Sequence, residues 1–286
     1  MARPIAPETP PDEALRRIAA DCRDDLLKHR IVVLKSRRAI GIHQTRVALR
    51  RLRAALGVFR DAVAGESGQR ALKALAADAK WLASECAPAR DLHVLLTETL
   101  DDVPAPVTRI ARRLARVHLA QARAALDSTR FATFDKALAA FVAEAPAATG
   151  RLDDFSRAML EDRHARVLKR ARRFGTLDGE RLHRLRIAIK KLRYAATFLR
   201  PAFASREAKA YIEATARLQG VLGLWNDHDV AAGRLVEIAR AARPRETVEQ
   251  AIARLTRQAA SGARRRRHRL ERAWKNFRKV EPFWRA

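Results

Sequence analysis

His-Gln-Thr-Arg-Val-Ala-Leu-Arg-Arg-Leu-Arg occupies residues 43–53, and His-Arg-Leu-Arg-Ile-Ala-Ile-Lys-Lys-Leu-Arg occupies residues 183–193. His43 answers to His183, Arg46 to Arg186, Arg50 to Lys190, Arg51 to Lys191 and Arg53 to Arg193, with apolar positions matching apolar ones between them. A segment written twice at long separation says that the fold contains two copies of one unit. Because the copied segment keeps a histidine and four cations, the unit carries an anion site twice.

On a helical wheel at roughly 100° per residue, Ala48, Leu49, Leu52, Ala55, Leu56 and Phe59 gather on one side, while His43, Arg46, Arg50 and Arg53 fall within a stripe of roughly 80° on the other. Arg60 borders that stripe and Arg51 lies off it. In the second copy Leu185, Ile189, Leu192, Ala196 and Leu199 form the apolar face, and His183, Arg186, Lys190 and Arg193 line up opposite. Cations at i, i+3, i+7 and i+10 make a ladder rising roughly 1.5 Å per residue. Like charges that close destabilise a bare helix, and no acid interrupts either stripe. The pattern suits a run of phosphates, whose oxygens arginine's planar fork grips two at a time. A protonated histidine donates from both ring nitrogens. A single basic face is ordinarily just solvated; two copies with the histidine in register argue against that reading here.

The rest of the chain is consistent with helix. Its 286 residues are 48% hydrophobic with only 11 glycines, which suits one large or two smaller helical domains, and strand-type alternation is hard to find. The 59 Lys and Arg against 32 Asp and Glu leave a formal charge of +27. Such a chain repels itself unless a polyanion neutralises it, so nucleic acid, an anionic membrane surface and inorganic polyphosphate are the partner classes, and a small neutral metabolite is not. Residues 1–11, rich in proline, read as a disordered lead without a signal-peptide core. No uncharged stretch approaches a membrane span, so a cytoplasmic location is expected. Cys22 and Cys86 are expected as buried thiols.

Asp12 is the expected cap of a first helix that runs to about Arg38 and is broken by Gly41. The first motif helix follows, then a third helix interrupted at Pro88, then a long fourth from Val107 towards Glu144. Pro146 to Gly150 reads as the join between a first helical repeat over residues 12–145 and a second over 150–285. In the second repeat, helices are expected near 152–174, 181–200, 206–224, 226–240 and 246–279. Arg90-Asp91-Leu92-His93-Val94 matches Asn226-Asp227-His228-Asp229-Val230, which extends the repeat beyond the motif. Each half thus offers about four helices, as a small bundle needs.

His43-x-x-Arg46-x-x-x-Arg50-Arg51-x-Arg53, His183-x-x-Arg186-x-x-x-Lys190-Lys191-x-Arg193, the Arg90-Asp91 and Asn226-Asp227 elements, and the closing Trp274-x-x-Phe277 and Pro282-Phe283-Trp284 resemble the CHAD family, the conserved histidine α-helical domain. The resemblance covers about residues 12–285. It implies an all-α fold of two pseudo-twofold-related four-helix bundles with a basic channel between them, non-catalytic binding of inorganic polyphosphate, and residence at polyphosphate granules. Carried over by position, it places His43, Arg46, Arg50, Arg53, His183, Arg186, Lys190 and Arg193 in that channel, with Arg51 and Lys191 as candidate additions. Lysine at 190 and 191 holds phosphate as a point charge without the fork, so the two halves are not equivalent.

The competing readings are weaker in the sequence. A nucleic-acid binder is the alternative, but aromatics are 6% of the chain and their spacing offers no base-stacking platform. A phosphohydrolase metal site at Asn226-Asp227-His228-Asp229 conflicts with its repeat mate, which keeps the aspartate and moves the histidine. Asp91 and Asp227 are instead expected to orient neighbouring arginines or cap a helix. No Gly-rich phosphate loop, nucleophile elbow or zinc pattern is present, so no cofactor, no metal and no enzymatic role are expected. Arg264 to Arg267 wrap round their helix and cannot all face one channel.

Overall fold

Helices dominate because apolar residues recur at helical spacing and find partners on neighbouring helices. In the computed structural model there are ten α-helices and no strand among the described residues, which are 5–36, 38–98, 105–144, 150–203, 205–242 and 263–285 with three further positions between 249 and 253. They are α1 (Pro11–Lys35), α2 (Ala39–Val58), α3 (Gly65–Glu85), α4 (Ala87–Glu98), α5 (Ala105–Leu126), α6 (Thr129–Ala143), α7 (Leu152–Arg170), α8 (Gly179–Leu199), α9 (Glu207–Ala241) and α10 (Ala263–Phe277). No helix among the described residues is long and apolar enough to cross a membrane.

Several boundaries differ from the sequence expectation, each for a local reason. Asp12 does not cap α1. Pro10 occupies the N-cap position, with no side-chain cap bond, and Pro11 takes the first helical position that proline favours. Asp12 is buried instead, ion-paired with Arg16 at 3.3 Å. Gly41 does not break a helix; α1 ends at Lys35, and Gly41 lies inside the first turn of α2. A Cβ there would stand 3.0 Å from Val33 Cγ2, so glycine is what lets α2 begin close against α1. The expected long fourth helix is two, α5 and α6, because the Ser128 hydroxyl accepts from the Phe131 N–H at 3.1 Å and caps a new start. The expected break at Asn226 is absent, and α9 runs through it. The first part of the expected last helix lies outside the described residues.

The pairing of helices repeats. α1 packs on α2 and α7 on α8; α2 then meets α3 as α8 meets α9. The two motif helices, α2 and α8, pack directly against each other. One hydrophobic core runs through both halves, from Ala14 and Leu15 to Phe283 and Trp284. A smaller cluster (Leu92, Leu95, Val107, Ala111, Leu235, Ile238 and Ala242) ties α4 and α5 to the end of α9. The faces assigned on the wheel hold: Ala48, Leu49, Leu52, Ala55 and Leu56 of α2 with Phe59 at its C-cap, and Leu185, Ile189, Leu192, Ala196 and Leu199 of α8, are all buried. Cys22 and Cys86 are buried free thiols, their pKa pushed up to about 12 by desolvation.

Both chain ends are tied into the second half. Residues 5–10 do not trail as a disordered lead: Ile5 packs on the core, and the Pro7 carbonyl accepts from the N–H groups of Leu152 and Asp153 at 2.9 and 3.3 Å. That carbonyl satisfies two orphan donors at the start of α7. At the other end the Trp284 ring meets Tyr211 edge-on at 4.9 Å, and its indole N–H donates to Glu161 at 3.0 Å. The Arg285 guanidinium grips the same carboxylate and holds its pKa down to about 2. His164, buried beside them, hydrogen-bonds the Tyr211 hydroxyl at 2.7 Å. The Trp and Phe residues of this terminus therefore hold α7 against α9, which fixes the scaffold under α8. Replacing Trp284 by Ala is expected to lower the unfolding free energy by about 3 kcal/mol or more, measured by chemical denaturation.

Candidate anion-binding site

The middles of the two ladders converge. The α2–α8 contact turns their cationic stripes towards one another, and a cleft of about 460 Å³ opens between them and α3 and α7. Arg50, Arg53 and Ala54 line it from α2, Lys190, Lys191 and Tyr194 from α8, Lys80 from α3 and Arg163 from α7. Lys190 sits deepest in charge. Burial lowers its pKa first, and Arg186, Arg53, Arg50 and Lys191 lower it further. Residues of both repeat copies thus lie within electrostatic reach of one ammonium group.

What orients these cations is unusual. Arg50 Nε donates to the Tyr194 hydroxyl at 2.8 Å, Arg193 Nε to the Gln219 side-chain oxygen at 2.8 Å, Arg46 to the Ala83 carbonyl at 3.0 Å and Arg163 to the Gly57 carbonyl at 3.2 Å. Every one of these acceptors is neutral. Elsewhere arginines meet acids: Arg23 with Asp135 at 2.7 Å, Arg30 with Asp127 at 2.8 Å, Arg130 with Asp78 at 2.8 Å. Among the described residues no carboxylate lies within ion-pair distance of Arg46, Arg50, Arg53, Lys190, Lys191 or Arg193. Neutral acceptors fix the direction of a guanidinium without cancelling its charge, so the field in the cleft stays positive.

The ends of the ladders behave differently. His43 and Arg46 lie near Arg90 at the α4 side; burial lowers the pKa of His43 first, followed by Arg90, Arg50 and Arg46. Asp91 is near enough to favour the charged form of Arg46, and pairs with Arg234 of α9 at 3.5 Å. It therefore orients arginines, as its place in the repeat suggests. Arg193 lies over the Tyr194 ring at 4.7 Å, turned towards α9. His183 is exposed in the first turns of α8 and does not line the cleft. Of the two candidate additions, Lys191 lines the cleft, but Arg51 turns away to pair with Asp25 of α1 at 3.0 Å. From the arginine run, Arg267 donates to the carbonyls of Phe174 and Leu177, at 2.9 and 3.1 Å, and pins the α7–α8 connection. No group of three or more metal-ligating side chains occurs among the described residues. The side chains of Asn226 to Asp229, where a metal reading would fall, lie outside them.

Tyr194, Arg163 and Lys80 were not marked by the repeat. Tyr194 had a visible signal, since it falls on the same stripe as His183, where the first copy has Ala54. The tyrosine supplies the acceptor that aims Arg50. Arg163 and Lys80 come from helices outside the duplicated motif, and only tertiary packing brings them in.

A family model described as the CHAD domain matches residues 17–236. Among solved structures, the crystal structure of the CHAD domain from the plant Ricinus communis is 28% identical, with a TM-score of 0.84 over 98% of this chain and 96% of that one. PptA from Streptomyces chartreusis shares the fold at 16% identity and a TM-score of 0.63, over 97% of this chain and 100% of that one. No curated protein matches the chain.

Burying Lys190 among arginines disfavours its charged form, a penalty present at neutral pH and relieved as pH rises through its lowered pKa towards the ordinary lysine value. Lys190→Met is therefore expected to raise the thermal midpoint of the unliganded protein at low salt by the equivalent of about 1 kcal/mol, with the gain shrinking at high salt and at alkaline pH. With the cleft's geometry and the matched family model taken together, the chain belongs to the CHAD domain family.

Proposed function

We propose that the protein binds inorganic polyphosphate, without chemical turnover, in the cleft between α2 and α8. The observation that carries this reading is that Arg50, Arg53, Lys80, Arg163, Lys190 and Lys191 line one cleft with no carboxylate in ion-pair distance among the described residues, the Arg50 and Arg163 guanidiniums being aimed by neutral acceptors. A chain of condensed phosphates supplies closely spaced negative charge along a line, which complements two facing ladders. Lys190 and Lys191 meet it as point charges, and Arg50 and Arg53 as forks. Nucleic acid supplies the same charge but needs somewhere for its bases. Tyr194, the one aromatic ring lining the cleft among the described residues, is only 6% exposed and stacks on Phe198 at 5.7 Å. It offers no platform to a base.

Substituting Arg53→Gln and Lys190→Gln together is expected to weaken polyphosphate binding at low salt at least tenfold while the helical spectrum is kept. The slope of log K against log salt should flatten by about 1.4, or about 0.7 per lost phosphate contact. Unchanged affinity in that folded variant would remove the site. In competition at matched phosphate concentration, polyphosphate should displace RNA; the reverse order would favour a nucleic-acid binder.

A bound anion opposes the influences that hold His43 below its ordinary pKa, so binding takes up protons. Affinity should therefore rise as pH falls below about 6.5, the ordinary histidine pKa, towards the lowered value of His43 in the unliganded protein. His43→Asn should lose that increment. Titration calorimetry in buffers of different ionisation enthalpy measures it directly.

A further inference from the structure

The second half carries a third cationic ladder that the duplicated motif does not include. Arg163, Arg166 and Arg170 of α7 stand at i, i+3 and i+7, the spacing of His43, Arg46 and Arg50. On the wheel they fall within roughly 60° of one another. With Arg184 and Lys191 of α8 they enclose a pocket of about 120 Å³ floored by Ile187 and Ala188. Arg163 and Lys191 line both this pocket and the central cleft, so the two spaces adjoin.

In the first half the matching cations are paired: Arg23 and Arg30 of α1, 140 residues before Arg163 and Arg170, meet Asp135 and Asp127. Arg51, the repeat mate of Lys191, reaches α1 and finds Asp25 at 3.0 Å. Lys191 reaches α7 and finds arginines: burial lowers its pKa first, then Arg163, Arg166 and Arg170. Where one copy closes an ion pair, the other leaves like charges facing one another. The acids that do touch the pocket's cations are Asp162, at 2.8 Å from Arg166, and Glu180, at 2.6 Å from Arg184. Both pairs are i,i+4 contacts on the solvent side with side chains about half exposed or more, the kind that contributes little and that an anion displaces readily. Arg170 and Lys191 have no carboxylate within ion-pair distance among the described residues.

We propose that the α7–α8 pocket is a second phosphate subsite, joined to the central cleft through Arg163 and Lys191, so that a bound polyphosphate chain leaves the cleft over the second half of the protein and not over the first. The proposal rests on the polyphosphate reading of the central cleft. It makes the duplicated site directional: a short chain occupies the cleft, and a longer one continues along the α7 ladder.

The test compares tripolyphosphate with a long-chain polyphosphate on the wild-type protein and on Arg166→Gln/Arg170→Gln, two exposed positions whose replacement leaves the core untouched. Arg51→Gln serves as the mirror control in the first half. The double variant should bind the long chain about tenfold more weakly and flatten its salt slope by about 1.4, with tripolyphosphate affinity unchanged. Arg51→Gln should change neither. An unchanged long-chain affinity and slope in the double variant overturns the subsite while leaving the central cleft intact. So does an equal loss for both probes, or an equal loss with Arg51→Gln, because each marks a general charge effect. Failure of the wild-type protein to retain either probe overturns the reading of the cleft itself, and the subsite with it.

Discussion

Two helices that would repel each other in isolation are held face to face by the apolar sides they turn away from the cleft. Each like-charge pair on an exposed helix costs a few tenths of a kcal/mol, about 0.2–0.5. Each fully buried Leu or Phe behind it contributes about 1.5–3 kcal/mol. Leu49, Leu52, Leu56 and Phe59 on α2 and Leu185, Ile189, Leu192 and Leu199 on α8 are of that kind. The core wins easily, so the protein tolerates an anion site whose charges are left unmatched. The single core that runs through both halves is what makes the opposition of the two ladders rigid.

The use of neutral acceptors follows from the same constraint. A carboxylate beside Arg50 or Arg53 would steady the guanidinium and also occupy it. Tyr194 steadies Arg50, Gln219 steadies Arg193, and two main-chain carbonyls steady Arg46 and Arg163, each leaving the charge available. Asp91 marks the boundary of this rule: it stands near Arg46 but engages Arg234, at the edge of the ladder. Duplication supplied the two ladders, and divergence made them unequal. Ala54 and Tyr194 occupy matching positions, and only the second supplies an acceptor to a ladder arginine. Arg51 and Lys191 match in the same way, the first neutralised by α1 and the second facing the arginines of α7.

The all-α fold was legible because apolar residues at helical spacing and scarce glycine leave little else, and the wheel assigned the buried faces of α2 and α8 correctly. Boundaries were less legible. Ser128 caps through the nearby Phe131 N–H, Gly41 is set by the approach of α1 at Val33, and α9 runs on through Asn226. The proline-rich lead read as disordered from composition, because nothing local shows that the Pro7 carbonyl meets α7. In the site, Arg50, Arg53 and Lys190 came from the repeat alone. His183 matches perfectly in sequence yet is exposed outside the cleft, and Arg51 matches yet is spent on Asp25.

By itself the sequence determined which residues share a helical face, and that one cationic face occurs twice, since periodicity and charge are properties of the chain read in order. Only the tertiary structure decided which of those charges remain unmatched. That depends on what stands across the gap, and for Arg51 it is an aspartate while for Lys191 it is a row of arginines. Electrostatic fate is set by distance in space, which helix packing assigns and sequence spacing does not.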